Sequence, residues 1–264
     1  MKRTVIFLLC LLILANVIPC YSAQKTSADN FGKNFYRSLS KRLSKNRTDY
    51  PNLTDNEFAN FREIRTTGIA PGKLFRSSSP ISTWGNRNSI ADNAAKNAGI
   101  RTFINLADSN QGMKEHKGWA GSYYSVQRVI GLNLGMKYKA PKFRKSLARG
   151  IHFMADNEPP YMIHCSLGKD RAGFVCALVE CLMGANLNEV TADYLVSFYN
   201  YFGIAPGSEE YNFVARHEIQ RFLAEAFGVK SLEGVNLREA TERYCAGIGV
   251  TAEDIGRLRG KLSR

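Results

Sequence analysis

Hydrophobic positions along most of this chain follow two rhythms. Leu74-Phe75-Arg76 reads as a short strand, and the β-rich apolar run Ile100–Leu106 suits a buried one. Tyr161-Met162-Ile163-His164, just after the chain-breaking Pro159-Pro160, reads as another. Between these runs the apolar spacing turns helical over Asn88–Ala98, with Gly99 placed to end the helix, and over Phe143–Met154. Ala172–Met183 is apolar almost all round, as a buried helix should be, and stops at Gly184. Asn186 and Glu189 have the spacing of a capping box and open a helix running to about Tyr201. Further helices fit Glu209–Phe227, Leu237–Ala246 and Ala252–Leu262, with Asn236 and Thr251 at N-cap positions. Strands alternating with helices, then a helical C-terminal third, predict an α/β fold with a parallel-rich central sheet flanked by helices.

One apolar run obeys neither rhythm. Val5–Ala15 is uninterrupted, preceded by Met1-Lys2-Arg3 and followed by the small residues Ser22 and Ala23. That is the anatomy of a secretory signal peptide, and it is shorter than the roughly 20 residues a membrane span needs. Residues 1–23 are therefore read as a signal peptide and the protein as exported, periplasmic or secreted. A lipid anchor at Cys20 is the weaker reading, because Pro19 stands where a small residue precedes a lipidated cysteine. Residues 24–56 are polar and read as a loosely ordered lead-in with a helical turn near Phe35-Tyr36. Residues 57–264 read as one globular domain.

Charge narrows the partners. The formal net charge is +13, and loss of Lys2 and Arg3 with the leader leaves +11. Such a surplus favours phosphoesters and anionic lipid headgroups, including peripheral contact with an anionic membrane. Zinc-finger spacing, a basic helix with heptads and an aromatic RNA-binding signature are all missing, so nucleic acid is not an expected partner. Hydrophobic residues at 44% and charged residues at 22% exclude disordered and fibrous classes. Once Cys10 and Cys20 leave with the signal, Cys165, Cys176, Cys181 and Cys245 are too scattered to be a disulfide framework. The four histidines show no metal-ligand spacing, so neither a metal nor another cofactor is expected. Cys176, Cys181 and Cys245 read as small core residues.

The remaining cysteine lies in the informative stretch, His164-Cys165-Ser166-Leu167-Gly168-Lys169-Asp170-Arg171-Ala172-Gly173, between an apolar strand and an apolar helix. Backbone N–H groups at such a turn, unpaired where the helix begins, converge on one point and form an oxyanion cradle. Ser166, Leu167, Gly168, Lys169, Ala172 and Gly173 are the candidate substrate-binding residues. Gly168 lets the chain bend, and Lys169 adds charge at the rim, where a second phosphate would sit. Arg171 can fork two donors onto two phosphate oxygens. Thiol pKa values in such a field fall to roughly 3.5–7.5, which makes Cys165 the candidate nucleophile on phosphorus. Asp170 is the candidate acid and base, its alternative being a simple pairing with Lys169 or a helix cap.

These residues resemble the signature of the cysteine-dependent protein tyrosine/dual-specificity phosphatases, and most resemble the bacterial-type branch with a His-Cys-x-x-Gly-Lys-Asp-Arg loop. Asn60-Phe61-Arg62-Glu63, Gly72-Lys73-Leu74-Phe75-Arg76-Ser77, Ile100–Leu106 and Ala192-Asp193-Tyr194-Leu195 are similar to further elements of that branch, so the resemblance spans about residues 58 to 262. It implies a phosphatase fold over residues 57–264, with Cys165 as nucleophile, Arg171 as phosphate binder and Asp170 as general acid, and no metal. It implies hydrolysis of phosphotyrosine, with phosphoserine and phosphothreonine as further substrates. A phosphoinositide or inositol-phosphate phosphatase is the alternative, and a non-catalytic phosphate-binding protein a lower one. Two positions depart from the family. Ala172 stands where a Ser or Thr hydroxyl normally helps the cysteine sulfur leave, which implies slower breakdown of the phosphoenzyme. Asn105 and Ala107 stand where the branch often has Asp and Arg; Asp108 nearby reads as a loop or cap residue, a substitute acid or supporting carboxylate being the weaker reading. Lys45-Asn46-Arg47 resembles the substrate-tyrosine loop of the larger tyrosine phosphatases but sits in the polar lead-in, and is read as coincidence.

Overall fold

The computed structural model describes Gly32 and residues 34–263, and the chain divides into two units, Met1–Leu43 and Ser44–Arg264. The expected leader and Cys20 lie outside the described residues. In the first unit residues 34–42 form a helix (α1), longer than the single turn expected there. The rest of the expected lead-in begins the second unit and is held by local polar contacts. Asn46 accepts from the Thr48 N–H at the start of a 3-10 turn, Arg47–Asp49. Arg47 donates to the Tyr50 carbonyl at 2.6 Å and pairs with Asp55 at 3.0 Å. Thr54 and Glu57 make a capping box for the short helix α2, Asp55–Phe58. Side-chain oxygens capping backbone N–H groups give this polar stretch its order, a signal with no hydrophobic period.

Five strands form one sheet among the described residues: β1 Arg62–Glu63, β2 Leu74–Ser77, β3 Thr102–Asn105, β4 Arg128–Gly131 and β5 Tyr161–His164, in the order β1-β2-β5-β3-β4. β2, β5, β3 and β4 run parallel, and β1 is antiparallel to β2. The three strands read from the sequence are the central ones, buried at every position, as parallel strands covered on both faces should be. The unread strands are the edges: β1 is only Arg62 and Glu63, and β4 starts with exposed Arg128 and has no residue fully buried before Gly131.

Register separates the two faces. Phe75, Met162 and Phe103 align and pack with Ala95 of α3 (Asn88–Asn97), Ile81, Ile100 and Tyr124. Arg76, Ile163 and Ile104 align on the other face. There α4, Pro141–Asp156, brings Gly150 against Leu132 and Ile104, and α5, Asp170–Met183, brings Gly173 against Arg76. Every residue of α5 from Ala172 to Met183 is buried, because α6 (Leu187–Phe202) and α9 (Leu237–Gly247) pack around it, while α10 (Ala252–Leu262) packs on α4. The caps read from the sequence are present: Asn186 with Glu189, Asn236, and Thr251 with Asp254.

The helix expected over Glu209–Phe227 is instead two, α7 Glu209–Ala215 and α8 Arg221–Phe227, joined by a π-helical turn, Arg216–Gln220. The wider turn carries Glu218 inward, where it accepts from the Tyr194 hydroxyl at 2.6 Å in the interior. No Gly or Pro marks the spot, so the sequence carries no local sign of it. No helix among the described residues is long and apolar enough to cross a membrane.

Candidate active site

The loop Cys165–Lys169 connects the C-terminal end of β5 to the first turn of α5. Its carbonyls are drawn backwards, each by a donor from a distant part of the chain. The Ser166 carbonyl accepts from the Ser79 N–H at 3.2 Å. That of Leu167 accepts from Tyr201 Oη at 2.6 Å and Asn60 Nδ2 at 3.1 Å. Those of Gly168 and Lys169 both accept from Arg76 Nη2, at 2.8 and 3.1 Å. In a trans peptide unit C=O and N–H point opposite ways. Fixing these carbonyls behind the loop therefore turns the N–H groups of Leu167, Gly168, Lys169 and Asp170 forward, to the opposite side of the loop, the orientation that an anion-binding turn requires. Gly168 is required where the loop touches β2: its φ is +68°, and a Cβ would lie 2.2 Å from the Ser77 carbonyl oxygen.

In front of this loop lies an open cavity of about 480 Å³, lined by Ser82, Trp84, Met136, Cys165, Ser166, Leu167, Asp170 and Arg171. Cys165, 2% exposed, contributes to its lining. The Arg171 guanidinium is anchored through Nη1 to the Leu134 carbonyl at 3.1 Å and through Nη2 to Ser166 Oγ at 3.0 Å. Among the described residues no group of His, Cys, Asp and Glu could hold a metal ion.

The other expected site residues lie elsewhere. Lys169 is not at a rim: its side chain is 12% exposed, packs its ammonium 4.2 Å from the Phe198 ring and pairs with Asp170. Burial opposes its charge, but Asp170 and Glu218 together hold its pKa above the ordinary lysine value. Ala172 is fully buried, and Gly173 leaves room for the Tyr194 ring, 2.5 Å from where a Cβ would stand. Lys169 and Gly173 therefore shape the loop from behind. Asp108 is engaged outside the cavity lining: its carboxylate bonds His116 Nε2 and Asn105 Nδ2, each at 3.1 Å. Asn105 Oδ1 accepts from the Ala107 and Asp108 N–H groups, so the amide caps the turn after β3.

Asn60, Arg62, Arg76 and Asp193 stand in family-like motifs, but nothing local in the sequence assigns them a task. The fold joins them into one buried network behind the loop. Asp193 pairs with Arg76 and, at 2.8 Å, with Arg62; Asn60 accepts from Arg62 Nη1 at 2.9 Å and donates to Ser197 Oγ at 3.0 Å. Burial pushes the Asp193 pKa up, but the two guanidiniums outweigh it and bring it down to about 2. Lys45 is also closer to the site than its place in the sequence suggests: its ammonium lies 5.0 Å from the ring centroid of Trp84, which lines the cavity. Burial pushes the thiols of Cys176, Cys181 and Cys245 up, the last two to about 12, and all four described cysteines are free.

His164, next to the nucleophile candidate, is fully buried with Nε2 2.9 Å from Tyr124 Oη. Burial is the main cause lowering its pKa from 6.5 to about 4; Asp108 pulls the other way, and Arg171 and His116 add to the lowering. An unfolded chain takes up this proton near pH 6.5, whereas the folded protein takes it up only near 4. The stability conferred by the neutral buried ring is therefore complete above pH 6.5 and lost as pH falls to about 4, a change of about 3 kcal/mol. Below that, protonation of Asp193 continues the loss toward pH 2. Glu180, held neutral by burial, works in the opposite direction over the same window, so the test is a difference: the urea midpoint of the unaltered protein minus that of His164→Gln should fall between pH 7 and 4, and a difference independent of pH would contradict the assignment.

A family model described as the tyrosine phosphatase family matches residues 54–264. No curated protein matches the chain. Among solved structures, the chain is similar to the core catalytic domain of the PP-IP phosphatase SIW14 from S. cerevisiae, in complex with citrate, at 14% identity and a TM-score of 0.37, covering 63% of this chain and 91% of that one.

Proposed function

Because the chain belongs to the tyrosine phosphatase family, we propose that it is an exported phosphomonoesterase of the His-Cys-x-x-Gly-Lys-Asp-Arg type, acting on phosphotyrosine through a phospho-cysteine. The observation that carries this is the placement of Cys165 in one cavity wall with Arg171, before a loop whose carbonyls are tied back and whose N–H groups face forward. The Cys165 thiolate attacks phosphorus, and the S–P bond forms as the P–O bond to the leaving group breaks. The forward N–H groups and the Arg171 fork hold the three equatorial oxygens, where charge is concentrated in the transition state. Asp170, in the same wall, gives its proton to the departing oxygen. It then takes one from the water that attacks phosphorus and releases the thiolate. An aryl leaving group makes the smaller demand on this acid, since a phenol with a pKa of about 10 needs less protonation than an aliphatic alcohol. With Lys169 turned inward, the sequence argument for a second phosphate at the rim loses its support.

Ala172 places the slow step. Without a hydroxyl beside the loop to ease the sulfur's departure, the phospho-cysteine should accumulate. Rapid-quench assays with p-nitrophenyl phosphate are expected to show a burst of nitrophenol equal to the enzyme present, with the phosphoryl group recovered on the Cys165 peptide. Ala172→Ser should raise the steady rate about tenfold or more and shrink the burst. Absence of phosphorylated Cys165 under every quench time would remove the covalent mechanism. A panel of phosphotyrosine, phosphoserine and inositol-phosphate substrates on the same preparation tests the preference, with the aryl ester expected fastest.

A further inference from the structure

We propose that the face around the catalytic mouth is a docking surface for an anionic lipid bilayer. Two large apolar side chains in the cavity wall stand half in solvent, Trp84 and Met136, each 50% exposed. Trp84 has one lysine beside it and Met136 two. The Lys45 ammonium lies 5.0 Å from the Trp84 ring centroid. Met136 also lines an adjoining depression of about 380 Å³ that carries Lys137 and Lys142 and no acidic residue. All three lysines are exposed, and no ion pair engages them among the described residues. The single carboxylate in the catalytic wall, Asp170, is already paired with Lys169.

This arrangement favours a lipid surface over a protein one. Two separate apolar tips do not make the contiguous apolar centre of a protein interface. A tryptophan and a thioether with ammonium groups beside them match the depth profile of a membrane surface: the indole sits at headgroup level, the methionine enters the acyl boundary, and the lysines reach lipid phosphates. The formal charge, +13 for the whole chain and +11 without Lys2 and Arg3, adds long-range attraction of the same sign. Docked this way, the mouth opens onto the headgroup layer and meets phosphoesters held there.

The inference rests on the phosphatase reading only in treating this mouth as catalytic, and its primary readout, vesicle binding, needs no turnover. The chain has two tryptophans, so Trp119→Phe leaves Trp84 as the sole indole reporter, with the unaltered protein run in parallel. Sedimentation of the mature protein with phosphatidylglycerol/phosphatidylcholine vesicles should carry it down at low salt and release it at high salt, and vesicles of phosphatidylcholine alone should not bind it. Trp84 emission should shift to the blue on binding. Lys45→Glu combined with Lys137→Glu and Lys142→Glu should lower vesicle affinity at least tenfold, while soluble p-nitrophenyl phosphate is hydrolysed as before. Failure to bind anionic vesicles, an unshifted Trp84 spectrum, or binding indifferent to the three charge reversals overturns the proposal. So does a triple variant that weakens only the KM for a soluble phosphoprotein, since the lysines would then serve a protein partner. Vesicle binding without hydrolysis would instead overturn the phosphatase reading and leave the docking surface standing.

Discussion

Cys165→Ser is expected to lower kcat by about ten-thousandfold or more, on the scale seen when a covalent nucleophile is removed, while inorganic phosphate still binds. The two halves of this result have different origins in the structure. Turnover needs the sulfur, because a serine hydroxyl in the same place is a far weaker nucleophile without an adjacent base. Binding depends on groups the substitution leaves in place: the N–H groups of residues 167–170, held forward by Tyr201, Asn60 and Arg76, and the Arg171 guanidinium fixed on the Leu134 carbonyl. Steady-state assays and calorimetric phosphate titration of the same variant measure both. Hydrolysis near the wild-type rate would show that another residue attacks phosphorus. Loss of phosphate binding would show that the backbone donors do not form the anion site.

The second large effect lies behind the loop. Asp193→Asn should destabilise the protein by about 3–5 kcal/mol, because it leaves Arg76 and Arg62 with their shared counter-charge removed. Arg76 is fully buried, and Arg62 has a side chain 14% exposed. In the unaltered protein Glu180, the other buried carboxyl nearby, is kept neutral by burial and by the Asp193 charge; in the variant burial alone still opposes its ionisation, so any compensation by Glu180 carries its own desolvation cost. Arg76 also bridges Asp193 to the Gly168 and Lys169 carbonyls, so its release loosens the phosphate loop from the rear. Urea denaturation should give a lower midpoint, and kcat should fall even at temperatures where the variant is folded. A midpoint and kcat both equal to wild type would mean the network is ornamental to loop and fold alike.

Much of this protein is written locally. Periodicity marks β2, β3, β5 and α5, because their hydrogen bonds or pleat repeat within a few residues and every position faces the interior. Side-chain oxygens at Asn186, Asn236 and Thr251 mark helix starts because each cap bonds only two or three residues ahead. Cys165, Asp170 and Arg171 are legible because one strand–loop–helix turn carries all three. What the tertiary structure decided is everything that returns to that turn from a distance. Arg76 and Asp193, 117 positions apart, form one ion pair, and nothing near either names the other. Lys169 faces Phe198 instead of the rim because α6 supplies a ring and the π-helical turn a carboxylate. Trp84, Met136 and Lys45 reach the mouth only through the path of the chain. A local signal survives in the sequence because its partners are fixed by spacing. A nonlocal one appears only when packing closes the long loops between them.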